Sequence, residues 1–180
     1  MMNAANDRAA WLKGGDATCS VPPSVLERPI RLVLLGPPGV GKGTQAELLS
    51  QRLGSCHLST GDVFRAAKDL DACDRTPAIE EALEMMRMGG LVSDETVVRM
   101  VQERSGCLRC GGGFLLDGFP RTVAQAEALD QALERTSVNL DAVIAFELPI
   151  DQIVERLSGR RTCSQCKAVF HVVGRPPKEE

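Results

Sequence analysis

The segment 36–44, which reads GPPGVGKGT, constrains the fold of this chain more than any other stretch of its sequence. It follows the aliphatic run 30–35 and precedes a helical pattern that stops at Gly54. Several glycines in a short turn let successive backbone N–H groups converge on one anion, and the next helix adds the partial positive charge of its N-terminus. The segment therefore predicts a strand, a phosphate-binding loop and a helix, in that order.

Lys42 supplies the full positive charge of this predicted loop. A lysine at that place can reach the β- and γ-phosphates of a nucleoside triphosphate. The strict P-loop pattern has Ser or Thr directly after the lysine, whereas Gly43 intervenes here before Thr44. An ordinary Gly/Pro turn is the alternative interpretation of the same residues. The residues that we expect to bind the triphosphate are Gly39, Val40, Gly41, Lys42, Gly43 and Thr44.

Composition places the chain among globular proteins with one core. It has 180 residues, of which 43% are hydrophobic, and a formal net charge of -3 at pH 7. This charge favours neither nucleic acid nor anionic lipid as a partner, and no apolar run approaches the roughly 18 residues of a membrane span. Residues 1–28 lack the apolar centre of an export signal. We therefore expect a cytoplasmic protein with a loosely ordered extension at 1–29. Sequence upstream of the true start is the alternative interpretation of that segment.

Strand-like and helical segments alternate along the rest of the chain. The segments that predict strands are 30–35, 56–59, 113–117 and 142–146, of which the last two read as nearly continuous buried strands. A helical pattern at 151–157 is expected to bury Ile153, Val154 and Leu157. The alternation predicts an α/β fold with a doubly wound, mostly parallel sheet and helices on both faces. Ligands of such sheets collect at the carboxyl ends of the strands.

Polar residues follow the third predicted strand. Asp117 ends an otherwise apolar run, where an acidic side chain is poorly placed for packing but well placed to hold Mg²⁺ through water. Capping the turn at Gly118 is the alternative. Downstream, the sequence TVAQ at 122–125 fits a capping box, which would give Thr122 and Gln125 a structural role at the start of a helix.

The run 113–122, GFLLDGFPRT, resembles the signature of the adenylate kinases almost letter for letter. The phosphate loop, the segment 58–65 and the segment 90–95, which resembles the part that closes over the adenosine, resemble further parts of that family. The likeness covers most of residues 30–178. It implies that an arginine clamps the phosphate of AMP and that a glutamine touches its adenine. The AMP-binding residues that it implies are Thr60, Arg65, Gly90, Leu91, Val92, Gly118, Phe119, Pro120, Arg121 and Gln125. Taken alone, Thr60 could be a turn residue and Arg65 a solvated helix charge.

Basic residues also cluster at 156–161, where the family's mobile lid begins. Cations at the end of a helix usually complement the helix dipole, and that is the alternative to a functional role. By resemblance, Arg156 and Arg160 contact ATP and the transferring phosphoryl group. The catalytic residues that the resemblance implies are therefore Lys42, Arg121, Arg156 and Arg160.

Seven cysteines without an export signal favour thiols or metal ligands over disulfides. Cys163 and Cys166 follow the lid hinge, where many bacterial adenylate kinases hold structural zinc with two such pairs. Tetrahedral zinc needs four ligands, and the pair Cys107 and Cys110 precedes the third predicted strand, at the far end of the sheet. We therefore expect half of a zinc site, and we expect His171 to pack within a lid hairpin.

These features predict an adenylate kinase, which interconverts ATP and AMP with two ADP in an Mg²⁺-dependent reaction and acts as a monomer. We expect a core at 30–159 with an AMP-binding insertion at 59–92, and the start of a lid at 160–180. Because the chain stops at Glu180 inside that lid, we expect these residues alone to bind nucleotide poorly and to transfer phosphate far below the usual rates of the family. Two alternatives stay open, namely a UMP/CMP kinase and a non-catalytic nucleotide- or zinc-binding module.

Overall fold

The computed structural model describes residues 26–68, 75–103, 108–165 and 169–177. The strands in them are β1 (Ile30–Leu35), β2 (Cys56–Ser59), β3 (Gly113–Asp117), β4 (Ala142–Ala145), β5 (Arg160–Thr162) and β6 (Val169–His171). The helices are α1 (Lys42–Leu53), α2 (Thr60–Ala67), α3 (Pro77–Arg87), α4 (Asp94–Gln102), α5 (Val123–Thr136) and α6 (Ile150–Ser158). A helix that could cross a membrane, which needs about 20 apolar residues, does not occur in the described part of the chain.

The first four strands form one parallel sheet in the order β2-β3-β1-β4. Ile30 of β1 lies opposite Gly113 of β3, and Leu32 lies opposite Ala142 of β4. Because all four strands run in the same direction, their carboxyl ends meet at one edge, where open α/β sheets bind ligands. The predicted α/β fold with a mostly parallel sheet is confirmed.

The core lies on both faces of this sheet. Three consecutive residues of β3, Phe114, Leu115 and Leu116, are fully buried. Successive side chains of a strand point to opposite faces, so both faces are covered. The larger apolar cluster joins Phe114 and Leu116 to α3, α4 and α5, and the smaller one joins Leu115 to Ala46 of α1. Each buried leucine contributes about 1.5–3 kcal/mol, which fixes the helices on the sheet and positions its carboxyl edge.

β4 and α6 are more exposed than the sequence predicts. All four residues of β4 are exposed, and among them Val143 is 54% and Ile144 is 37% exposed. α6 buries Ile153, but Val154 and Leu157 are 59% and 38% exposed. The prediction of a buried strand here was wrong. In the described part of the chain, neither apolar cluster includes a residue of β4. An edge position alone does not explain this exposure, because β2 lies at the other edge and is fully buried.

β4 also ends one residue earlier than predicted. The N–H of Phe146 still donates a hydrogen bond to the carbonyl of Leu35 at 2.9 Å, but regular pairing stops at Ala145. The chain then passes close to Gly36, at which a Cβ would lie 2.5 Å from the carbonyl oxygen of Phe146. The end of β4 thus packs directly against the start of the loop after β1.

β5 and β6 form a separate antiparallel hairpin after α6. Arg160 lies opposite His171 in this hairpin. Nδ1 of His171 accepts hydrogen bonds from the backbone N–H groups of Val173 and Gly174 at 3.2 and 2.9 Å. His171 therefore packs within a hairpin, as predicted.

Candidate active site

The loop between β1 and α1 turns on glycines in the left-handed region. Gly39 has φ +85° and Gly41 has φ +106°, conformations that residues with a Cβ rarely adopt. α1 starts directly at Lys42, and Gly41 precedes it without a capping side chain. The first N–H groups of α1 are therefore available to an external anion.

Two basic side chains bind the backbone of this loop. Nζ of Lys42 donates hydrogen bonds to the carbonyl oxygens of Gly36 and Pro37 at 2.7 and 3.0 Å. From α6, Nη1 of Arg156 donates to the carbonyl oxygen of Val40 at 3.3 Å. Both positive charges thus lie beside the amides that would surround a phosphate.

The electrostatics around Lys42 are those of an anion site. Burial lowers the pKa of Lys42, the Asp117 carboxylate raises it, and the positive charges of Arg121 and Arg160 lower it further. Arg121, after β3, and Arg160, in β5, therefore each repel the ammonium group of Lys42. A polyphosphate bound there would relieve that repulsion.

Asp117 ends β3 beside the loop. A Cβ on Gly43 would lie 3.4 Å from Oδ2 of Asp117, so the carboxylate faces the start of α1. The same oxygen lies 3.5 Å from Nε2 of His57, whose side chain is 4% exposed. The carboxylate thus connects the phosphate loop to β2.

Thr60 and Arg121 meet at the carbonyl oxygen of Gly118. Oγ1 of Thr60 donates a hydrogen bond to it at 3.1 Å, and Nε of Arg121 donates one at 2.7 Å. Gly118 has φ +83°, and a Cβ there would lie 2.8 Å from Oγ1 of Thr60. This close approach requires glycine. The peptide bond between Phe119 and Pro120, which follow Gly118, is cis.

Gln125 is buried and uses both ends of its amide. Its Oε1 accepts a hydrogen bond from the backbone N–H of Arg121 at 2.8 Å, and its Nε2 donates to Oδ1 of Asp94 at 2.6 Å. Thr122 caps α5 by accepting from the N–H of Gln125 at 3.2 Å, which confirms one half of the predicted capping box. In the other half of a capping box, the Gln125 side chain would accept a hydrogen bond from the backbone N–H of Thr122. Here Oε1 of Gln125 accepts from the N–H of Arg121, one residue earlier.

The family is decided by comparison with known proteins. Residues 34–175 match the family model described as adenylate kinase. The chain belongs to the adenylate kinase family. The resemblance predicted from its motifs is therefore confirmed.

Curated adenylate kinases of three bacteria illustrate the similarity. The chain is 51% identical over 151 residues to the adenylate kinase of Carboxydothermus hydrogenoformans, which covers 84% of this chain and 69% of the relative. It is 54% identical over 148 residues to that of Moorella thermoacetica, with 82% and 66% covered. For Gloeobacter violaceus the identity is 51% over 147 residues, with 82% and 65% covered. The chain thus spans about two thirds of the length of these relatives.

The adenylate kinase fold brings most of the predicted site residues to one edge of the sheet. Those that contact or electrostatically influence one another there are Gly39, Val40, Gly41, Lys42, Gly43, Thr60, Asp117, Gly118, Arg121, Gln125, Arg156 and Arg160. Thr44 is exposed in the first turn of α1. Of the other predicted residues, Phe119 is buried within the larger core cluster, whereas Leu91 is 95% exposed and Val92 packs against that cluster. Gly90 is exposed beside them, and only the backbone of Arg65, within α2, is described.

The cysteines give no metal centre in the described residues. Cys163 is half-buried after β5, and Cys110 lies just before β3, at the amino end of the strand as expected. Cys107 and Cys166 lie outside the described residues. In the described ranges, no group of three or more His, Cys, Asp or Glu side chains is arranged to hold a metal ion. The half zinc site at Cys163 and Cys166 stays a prediction.

The site also contains two residues to which the motifs assigned no role. His57 lies outside the motifs, and Asp94 lies in the segment 90–95 that resembles the family. Ser59 lies opposite Asp117 in the sheet, so His57, two residues earlier, is on the same face of the neighbouring strand. That contact follows from the register of the strands, which a single sequence does not reveal. Asp94 reads as an ordinary acidic residue in the first turn of α4, and its link to Gln125 depends on how two helices pack.

Proposed function

We propose that this chain transfers the γ-phosphoryl group of ATP to AMP reversibly, giving two ADP. The observation that carries the proposal is the convergence of Lys42, Arg121 and Asp117 at the carboxyl edge of the sheet. The loop before α1 and the turn at 118–121 are two separate anion-binding elements that share this edge. The similar proteins are all named adenylate kinase, which supports the same reaction.

The loop and its cations hold the donor nucleotide. Nζ of Lys42 exchanges its contacts with the loop carbonyls for oxygens of the β- and γ-phosphates, while the backbone N–H groups of 39–44 surround the phosphates. Arg156 and Arg160 add positive charge beside the transferring group. This reaction needs no covalent residue, because alignment of the two nucleotides and stabilisation of the developing charge account for catalysis.

Residues after β2 and β3 hold the acceptor AMP. The Gly118 carbonyl orients the guanidinium of Arg121 through Nε, so that its terminal amino groups can clamp a phosphate. Thr60 and Gln125 contact adenine. The remaining AMP-binding residues are Arg65, Gly90, Leu91, Val92, Phe119 and Pro120. Since AMP already carries an anionic phosphate, the acceptor needs no strong general base.

Asp117 is the residue that would hold Mg²⁺ through water. Its carboxylate suits a hard cation and lies next to Gly43, at the start of the phosphate-binding helix. When bound, the ion neutralises charge on the β- and γ-phosphates. Cys163 and Cys166 would supply two of the four ligands of a structural zinc ion.

We also propose a division of the chain into parts that move. The core comprises 30–159, with the AMP-binding insertion at 59–92, and the lid starts at 160. The separate two-stranded sheet of β5 and β6 supports this division.

The protein would act as a monomer in the cytoplasm. Sedimentation of the purified chain, with and without nucleotide, tests the monomeric state directly. A dimer that persists at all protein concentrations would contradict it.

The function is tested by incubating the purified chain with ATP, Mg²⁺ and either AMP, CMP, UMP or GMP. Phosphorus NMR detects slow formation of diphosphates, and titration calorimetry measures the binding of each nucleotide separately. We expect AMP to be the preferred acceptor and ATP and AMP to occupy separate sites. Preference for a pyrimidine nucleotide would indicate a UMP/CMP kinase. Binding of ATP without binding of AMP would indicate a non-catalytic module, and either result contradicts the proposal.

A further inference from the structure

Asp94 joins α4 to the start of α5 at the proposed AMP site. Its Oδ2 accepts a hydrogen bond from Oγ1 of Thr122 at 2.7 Å, and its Oδ1 accepts one from Nε2 of Gln125 at 2.6 Å. Asp94 is itself fixed as the first residue of α4, which Ser93 caps by accepting from the N–H of Thr96 at 3.2 Å. A single carboxylate therefore binds two side chains of a helix that begins about 30 residues later.

These contacts leave one orientation for the amide of Gln125. A carboxylate can only accept hydrogen bonds, so the NH₂ group must face Asp94. The backbone N–H of Arg121 can only donate, so Oε1 must face Arg121. Gln125 is 4% exposed, which restricts other rotamers. One N–H and one lone pair of the amide then remain at fixed positions.

We propose that Asp94 is a positioning residue for AMP, which holds the Gln125 amide in the orientation that reads adenine. The inference rests on the proposed function, in which Gln125 contacts the base. Adenine presents a donor, N6–H, beside an acceptor, N7, and a glutamine amide pairs with both. Guanine presents the acceptors N7 and O6 at the same place. Asp94 therefore contributes to the choice of AMP over GMP without touching the nucleotide.

The test compares Asp94→Ala with Glu95→Ala, which removes the other acidic side chain from the first turn of α4. Titration calorimetry measures the affinities for AMP, GMP and ATP separately. In Asp94→Ala we expect AMP binding to weaken about tenfold, the effect of losing a hydrogen bond to a charged group, with ATP affinity unchanged. Glu95→Ala should leave the AMP affinity unchanged. Asp94→Asn should keep most of the wild-type affinity for AMP, because Oδ1 of the asparagine can still accept a hydrogen bond from Gln125.

A spectroscopic readout separates positioning from general stability. The side-chain NH₂ resonances of Gln125, assigned by their loss in Gln125→Glu, should move in Asp94→Ala and stay in place in Glu95→Ala. If Asp94→Ala does not fold, Asp94→Ser replaces it, because a serine hydroxyl at 94 is too short to reach Gln125. The same tenfold loss and the same resonance shift are then expected.

Three results would overturn the inference. Unchanged AMP affinity in Asp94→Ala would mean that Gln125 needs no support from Asp94. An equal loss of ATP and AMP affinity would mean that the whole site is disturbed. A wild-type chain that binds ATP but no AMP would contradict the proposed function itself, whereas the first two results leave that function standing.

Discussion

Lys42 is charged at a place where folding disfavours its charge. Burial lowers its pKa below 10.5, so the unfolded chain holds this proton more tightly than the folded one. Stability against unfolding therefore rises as the pH increases from the lowered folded pKa towards 10.5. A phosphate bound beside Lys42 reverses this effect because it favours the ammonium form. Protonation of this one residue is thus linked to nucleotide binding.

Substitution of Lys42 tests the donor side of the site. Lys42→Met keeps an unbranched side chain but removes the charge, and we expect kcat to fall about 100-fold or more, as when a preorganised donor is removed from a transition state. A coupled assay of ADP formation measures it. Arg52→Met, at the opposite end of α1, is the matched control. An equal loss in both variants would contradict a role for Lys42 in phosphoryl transfer.

Substitution of Gly118 tests the AMP side of the site, and the same substitution at Gly89 is the control. Both have positive φ, +83° and +76°, but a Cβ would meet Thr60 at 2.8 Å only at Gly118, since nothing lies within 4 Å at Gly89. Alanine at either position should cost about 1–2 kcal/mol of left-handed strain. We expect Gly118→Ala to lose further stability and AMP affinity, measured by thermal unfolding and AMP titration. Equal AMP affinities in the two variants would contradict the proposal that Thr60 and Gly118 form part of the AMP-binding site.

At the scale of elements, β3 and β4 show what a sequence can predict. Both are short, largely apolar runs, and both form strands, because that local pattern is strong. Their burial differs because the apolar clusters cover both faces of β3, whereas no residue of β4 belongs to either cluster in the described part of the chain. Position in the sheet does not decide this, since the edge strand β2 is fully buried. Strand formation is local, whereas burial depends on neighbours that the run itself does not specify.

Two adjacent residues of α6 test how strongly burial determines the contribution of a side chain to stability. Ile153 is 7% exposed and Val154 is 59% exposed. We expect Ile153→Ala to destabilise the fold by about 2–5 kcal/mol, the usual cost of a core truncation, and to disturb the loop at Gly39, since the Ile153 backbone lies against it. Val154→Ala should change the stability by less than about 0.5 kcal/mol. Urea unfolding measures both, and equal losses would contradict the described packing of α6.

The contact between α3 and α4 predicts a pH dependence of stability. Glu81 accepts a hydrogen bond from Thr96 at 2.8 Å and pairs with Arg99. The bond from Thr96, followed by that from Arg99, lowers the pKa of Glu81 below 4.5. The ionised carboxylate therefore stabilises the folded state above pH 4.5, and this contribution is lost as the pH falls through the lower folded pKa.

Glu81→Gln measures this contribution. The variant should be less stable than the wild type at pH 7, and the difference should shrink as the pH falls below about 4.5. Glu84→Gln is the control on the same helix, because Glu84 pairs with Arg87 at an exposed position where ion pairs contribute little. Thermal unfolding from pH 3 to pH 7 measures both. A difference for Glu81→Gln that does not depend on pH would contradict the origin of the pKa shift.

At the scale of the whole molecule, the direction of the strands explains why much of the site was predictable. Lys42, Asp117 and Arg121 each follow or end a parallel strand, so they must meet at one edge wherever the helices lie. The link from Asp94 to Gln125 was not predictable in this way. It joins side chains 31 residues apart on two helices, and no local pattern specifies how those helices pack.

The central claim is that two mononucleotides meet with their phosphates between Lys42 and Arg121. The most direct test is a crystal structure, with matching calorimetry, of the chain with a bisubstrate inhibitor in which five phosphates join two adenosines. We predict one inhibitor per chain, bound far more tightly than ATP because the second adenosine binds intramolecularly. One base should lie on the side of the phosphate loop and the other beside Thr60 and Gln125. A single bound adenosine, with an affinity no higher than that of ATP, would contradict the claim.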